Sequence, residues 1–148
     1  MSALDAEMGA LLRRVSETAI LPHYHSLAAN QIVAKAPGDV VTVADHAAEA
    51  MLFEALARIE PGVAVVGEEA AHADAAVQDA LAGECWIVDP LDGTRNFASG
   101  RAPFGIIVAR ASGGVCRSGW IYDCLSGRLC IAHERRGARI DDDLVRSV

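Results

Sequence analysis

Residues 85–100 read CWIVDPLDGTRNFASG, and the rest of the chain is organised around this stretch. Cys85, Trp86, Ile87 and Val88 form a short apolar run rich in strand formers, which ends abruptly at two carboxylates, Asp89 and Asp92. Pro90 biases Asp89 away from the helical region, so the two aspartates are predicted to converge from either side of a tight turn. Gly93 lets the backbone bend and Thr94 adds a hydroxyl. Two anionic oxygens, a turn carbonyl, a glycine and a hydroxyl are the donors a hard cation such as Mg²⁺ needs when it must also hold a phosphate. A plain turn accounts for Asp-Gly alone, but not for the whole string.

The same pattern recurs upstream. Residues 63–66 read as a short strand that also ends in acid, at Gly67-Glu68-Glu69. Strand ends of an α/β sheet gather ligands, so Glu68 and Asp89 are expected side by side; Glu69 is expected to face solvent or tune charge, and an acidic turn before a helix is the plain alternative for either glutamate. Thr42 to Asp45 reads as T-x-x-D at the front of a helix whose apolar positions Ala48, Met51, Leu52, Ala55, Leu56 and Ile59 run up to Pro61-Gly62, which makes Asp45 a capping acid. A first amphipathic helix carries Leu4, Met8, Leu11, Leu12, Val15 and Ala19, with Ser2 as its cap and Pro22 ending or kinking it. Lys35, Pro37 and Gly38 mark a loop before Asp39, and residues 73–81 read as helix stopped by Gly83. Residues 104–111, 115–122 and 128–133 read as three strands of an antiparallel meander, with Trp120 and Tyr122 as sheet-packing aromatics. His23 and His25 are expected to be a surface pair, and Asp141, Asp142 and Asp143 a solvated charge run.

Composition narrows the functional classes. A chain of 148 residues is one domain by length and buries roughly 68–70% of its unfolded surface. A formal charge of −7 with no basic run argues against a nucleic acid polymer as partner, and an anionic substrate would need metal ions to overcome that field. The four cysteines form no C-x-x-C pair, and Asp5 and Glu7 interrupt any apolar leader, so reduced thiols and a cytoplasmic location are expected. No stretch reaches the apolar length of a membrane span.

D-P-L-D-G-T-R-N-F preceded by W-I-V, Gly67-Glu68-Glu69, and Asp39-Val-Val-Thr-Val-Ala-Asp45 together resemble the inositol monophosphatase family of Mg²⁺-dependent, lithium-sensitive phosphatases, in the family's order and at similar spacing. The resemblance covers essentially the whole chain, read as a single domain over 1–148 that corresponds to the N-terminal half of the family's usual length. It implies an α+β fold, a layered sandwich of a mainly antiparallel sheet with flanking helices. It also implies hydrolysis of a small, inositol phosphate-like monoester by metal-activated water. By resemblance, Glu68, Asp89 and the Leu91 carbonyl hold one Mg²⁺, and Asp89 and Asp92 share a second. Thr94, supported by Asp45 and assisted by Glu68, orients the water, while Leu91, Asp92, Gly93 and Thr94 border the substrate phosphate. The family keeps a lysine near Lys35. The family's W-D-x-A-A-G block has no counterpart here, so a truncated, non-catalytic metal-binding or interaction protein is the alternative. An uncovered sheet face predicts a homodimer or other self-association.

Overall fold

The computed structural model describes residues 1–146. Helix α1 (Ala3–Val15) opens on a reciprocal cap: the Ser2 hydroxyl accepts from the Asp5 amide at 3.1 Å, and the Asp5 carboxylate accepts from the Ser2 amide at 3.0 Å. It continues through a π-helical turn (Ser16–Ile20) into a 3₁₀ turn (Leu21–His23), where Pro22 ends it. The segment expected to be a loop around Lys35 is instead a β-hairpin, β1 (Ile32–Ala36) and β2 (Asp39–Thr42), and only the Pro37-Gly38 corner is a turn. Lys35 therefore sits on a strand, at a bulge: its neighbours Ala34 and Ala36 pair with Val40 and Asp39, and Lys35 lies between them without a partner in the register. Thr42 caps helix α2 (Val43–Ile59).

Strand β3 (Ala64–Gly67) runs directly into helix α3 (Glu68–Ala73). The helix expected over 73–81 is a 3₁₀ segment, Ala75–Ala82, and the α-helical turn precedes it, beginning at Glu68 itself. Strand β4 (Cys85–Asp92) and the short helix α4 (Thr94–Ala98) follow, then the meander β5 (Gly105–Ser112), β6 (Val115–Asp123) and β7 (Leu129–His133). The tail adds β8 (Gly137–Ile140) and β9 (Asp143–Val145), which the sequence pattern did not suggest. Asp141 is not merely solvated: it turns the chain at φ 54° and accepts from the Leu129 amide at 3.1 Å.

Seven strands form one sheet in the order β3-β4-β5-β6-β7-β8-β9, with β3 and β4 parallel and every later pair antiparallel. Alternate residues of each strand face α1 and α2, and Trp86, Val88, Ile106, Val108, Trp120, Tyr122 and Ile131 bury there against Met8, Leu12, Leu52 and Leu56. Trp86 and Trp120 lie 5.8 Å apart, and the Trp120 indole donates to the buried Asp5 carboxylate at 2.9 Å. Burying each large apolar side chain contributes about 1.5–3 kcal/mol, so this layer dominates stability. On the opposite face, α3 and the 3₁₀ segment cover Val66, Cys85 and Ala111. Farther along that face the register aligns Ile107, Ile121, Cys130 and Ile140 across four strands, and Ile121 is 50% exposed. The molecule is thus an α+β layered sandwich with one stretch of sheet open. Among the described residues, no helix is long and apolar enough to cross a membrane.

Candidate active site

The site is built by the parallel pair. Gly67 is in register with Val88, so the next residues, Glu68 and Asp89, fall side by side where the parallel pairing ends, with Asp89 still paired to Ile107 of β5. The ladder from β4 to β5 breaks between Asp89 and Asp92, where the structure has a bulge within strand β4 in place of the expected tight turn, and the Leu91 amide donates to Asp89 Oδ1 at 3.2 Å. The Leu91 side chain anchors this bulge in the core at 1% exposure. Gly93 has φ 81°, and a Cβ there would lie 2.7 Å from the Pro103 carbonyl oxygen, so both conformation and space require glycine. Glu68, Asp89, Leu91, Asp92, Gly93 and Thr94 all line one cleft of about 270 Å³, joined by Asp39 and Arg95.

Asp45 lies behind the cleft, fully buried, and has two separate jobs on its two oxygens. Oδ2 accepts from the Thr42 amide at 2.8 Å and the Thr42 hydroxyl at 2.7 Å, which is the cap of α2. Oδ1 accepts from the Thr94 hydroxyl at 2.9 Å, and that hydroxyl also lies 2.8 Å from the Leu91 carbonyl oxygen. Capping and contact with the D-G-T threonine therefore coexist. Burial raises the Asp45 carboxyl above the usual range, while the bonds from Thr42 and Thr94 pull it down.

The other acids respond to each other. Burial, then the adjoining Glu68 and Asp92 carboxyls, push Asp89 up to about 8. Lys35 stands among these acids, 3.4 Å from both Glu68 Oε1 and Glu69 Oε1. Its burial alone would lower the ammonium, but Glu68 and Glu69 outweigh that and hold it above its ordinary value. Glu69, expected to face solvent or tune charge, does not face solvent: it is 7% exposed beside Lys35, burial raises its carboxyl and Lys35 partly compensates. Burial first, and the neighbouring acids after it, drive the Asp89 carboxyl towards its neutral form, as in a partly buried cleft crowded with carboxyls. Glu68, Asp89, Asp92 and the Leu91 carbonyl offer the all-oxygen chemistry a hard divalent ion takes, although among the described residues no three such acids stand close enough together to hold one.

Volume does not select this site. A larger groove of about 530 Å³ lies against α1 and is also lined by acids, but Asp5 and Asp141 there are already bonded to the Trp120 indole and the Leu129 amide, and Arg13 and Arg14 stand beside them. Sequence reasoning missed Glu49, whose carboxylate is 6% exposed and accepts from the Glu69 amide at 3.0 Å and the Ala70 amide at 2.9 Å. An available signal was an acid one helical turn after Asp45, beside the buried Ala48 and Leu52 of α2.

Known proteins resemble this chain in sequence and in fold. The model of the inositol monophosphatase family matches residues 3–147. An inositol-1-monophosphatase from Mesorhizobium japonicum is 35% identical over 116 residues, covering 78% of this chain and 42% of its own length. The solved extragenic suppressor protein SuhB of Bartonella henselae superposes with a TM-score of 0.83 at 29% identity, over 98% of this chain and 54% of that one. A solved IMPase/NADP phosphatase complexed with Mg²⁺ and phosphate shares the fold at a TM-score of 0.73 and 22% identity, over 93% of this chain and 50% of that one. The chain thus spans about half the length of the proteins it matches. Because the family model runs over almost every residue and the fold superposes on a solved SuhB, the chain belongs to the inositol monophosphatase family.

Proposed function

We propose that this cleft belongs to a Mg²⁺-dependent phosphatase that hydrolyses a small phosphate monoester of the inositol phosphate type. The observation that carries the reading is the gathering of Glu68, Asp89 and Asp92 beside a threonine hydroxyl held by a buried aspartate. The solved IMPase/NADP phosphatase of the same fold, complexed with Mg²⁺ and phosphate, supports it. Held by Glu68, Asp89, Asp92 and the Leu91 carbonyl, Mg²⁺ would acidify a water and offset the charge of the phosphate.

The chain's own groups do the positioning. The Thr94 hydroxyl has one proton; given to Asp45 Oδ1, it leaves the lone pairs free to accept from a water and set its line of approach. Asp45 cannot swing away, because Thr42 clamps its other oxygen. Glu68, exposed at the rim, is the acceptor for the proton leaving that water, and Lys35 keeps its carboxylate in place. The amides of Gly93 and Thr94, where α4 begins, would hold phosphate oxygens.

A second reading is a non-catalytic metal-binding or interaction protein, for which the open apolar stretch of the sheet offers a contact surface. The open row Ile107, Ile121, Cys130 and Ile140 supports self-association under either reading. Phosphate release from a panel of monoesters, in Mg²⁺ and with Asp89→Asn as control, separates the two. Lithium-sensitive turnover lost in the control supports the phosphatase; divalent-ion binding without turnover identifies the second reading.

A further inference from the structure

We infer that Glu49 is a positioning residue that fixes Glu68, and thereby sets the divalent-metal affinity of the cleft, by capping helix α3 from helix α2; this rests on the metal-site reading proposed above. The first amides of any helix lack partners within it, and the residue before the helix ordinarily supplies one from its side chain. Here that residue is Gly67, which has no side chain to offer. It has none because there is no room: a Cβ would come within 2.6 Å of the Glu49 carboxyl carbon and 2.8 Å of Phe53. At φ −106° the backbone itself would accept any residue, so glycine is needed at 67 for the close approach of Glu49.

Glu49 then supplies the missing cap, bonding to the Glu69 amide at 3.0 Å and the Ala70 amide at 2.9 Å. The Glu69 N–H belongs to the peptide unit that begins at the Glu68 carbonyl, so holding it fixes the direction in which the Glu68 side chain leaves the chain. An apolar residue would fill this buried spot without desolvating a charge, so packing alone gives no reason for a carboxylate there. The placement on α2 adds a second argument. Asp45 and Glu49 are one turn apart on one helix; Asp45 holds Thr94 of the D-G-T segment, and Glu49 holds the G-E-E segment. A single rigid rod therefore sets the spacing between the two acid-bearing segments.

The test uses the whole chain, titrated with Mn²⁺ while free ion is followed by electron paramagnetic resonance, and amide exchange read by NMR. Glu49→Gln is expected to weaken Mn²⁺ binding about tenfold or more, as loss of a partner behind a ligand does. It should also speed exchange at Glu69 and Ala70 selectively. Gly67→Ala, which displaces the Glu49 carboxylate sterically, should give the same pair of losses and decides the matter where Glu49→Gln does not fold. Leu56→Ala, at the far end of the same helix, should lower the melting temperature while leaving Mn²⁺ affinity within about twofold, since Leu56 touches only the core. Unchanged affinity in Glu49→Gln, or an equal loss in Leu56→Ala, would overturn the inference. A wild-type chain with no Mn²⁺ affinity would overturn the metal reading and the affinity claim with it. Selective loss of amide protection would then still support the hold of Glu49 on Glu68, and its absence would remove that too.

Discussion

Asp5→Asn tests whether one buried carboxylate fastens α1 to the far side of the sheet. Burial alone would raise the Asp5 carboxyl, but bonds from the Ser2 amide, His133, the Ser2 hydroxyl and the Trp120 indole outweigh it and bring it down to about 2, from 3.8. A carboxyl lower in the folded than in the unfolded chain adds stability that is fully present above the unfolded value and disappears as pH falls through the folded one. At 1.36 kcal/mol per pH unit, the difference amounts to about 2 kcal/mol at pH 7. About half of it is left near pH 3, and almost none below pH 2. In a domain of this size, 2 kcal/mol is a loss of about 4–8 °C in melting temperature. Urea or thermal unfolding of both proteins at several pH values between 7 and 3 measures this directly. A difference below about 0.5 kcal/mol at pH 7, or one that stays constant down to pH 3, would refute the reasoning.

At the cleft, Glu68→Gln and Asp89→Asn are each expected to weaken Mn²⁺ or Mg²⁺ binding strongly in calorimetry, and Glu69→Gln much less, since Glu68 and Asp89 line the cleft and Glu69 does not. Equal losses at Glu68 and Glu69 would describe a diffuse acidic patch. Because Asp89 must give up its proton to serve as a ligand, affinity should rise as pH increases towards about 8, and a flat profile between pH 6 and 8 counts against that role. In an active, full-length relative, replacing the threonine that corresponds to Thr94 by valine should reduce kcat at least tenfold with little change in metal affinity. Ile121→Lys places a charge in the open apolar row and should shift the chain to monomer in analytical ultracentrifugation; an unchanged distribution rules out that face.

How much could be read in advance depended on whether the information was local. Asp89-Pro-Leu-Asp-Gly, Gly67-Glu68 and Ser2 announce their conformations through neighbouring residues, and the structure has a bulged strand end, a strand-to-helix junction and a capped helix there. The pairing of Glu69 with Lys35 and the grip of Glu49 on α3 span dozens of residues or join a side chain to a distant backbone amide. No window of sequence encodes such contacts. Lys35 looked like part of a loop because Pro37 and Gly38 follow it, although those two residues are only the corner of the hairpin. Strands β8 and β9 escaped notice because Gly137–Ile140 and Asp143–Val145 are too short and too charged to show alternation; they are strands because β7 offers an edge to pair with.

The lone parallel pair also has a consequence for the order in which the molecule forms. A hairpin such as β5–β6 finds its partner by local search, whereas β3 and β4 can pair only after α3 and the Ala75–Ala82 segment have crossed between them. Glu68 and Asp89 are therefore brought together only when β3 closes on β4, a step that the local pairing of the meander does not require. An ion that binds only after this closure acts as a latch on it. At a hundredfold excess over its dissociation constant it would favour the closed state by about 2.7 kcal/mol, so stripping it with a chelator should speed opening of β3 before it loosens any other strand.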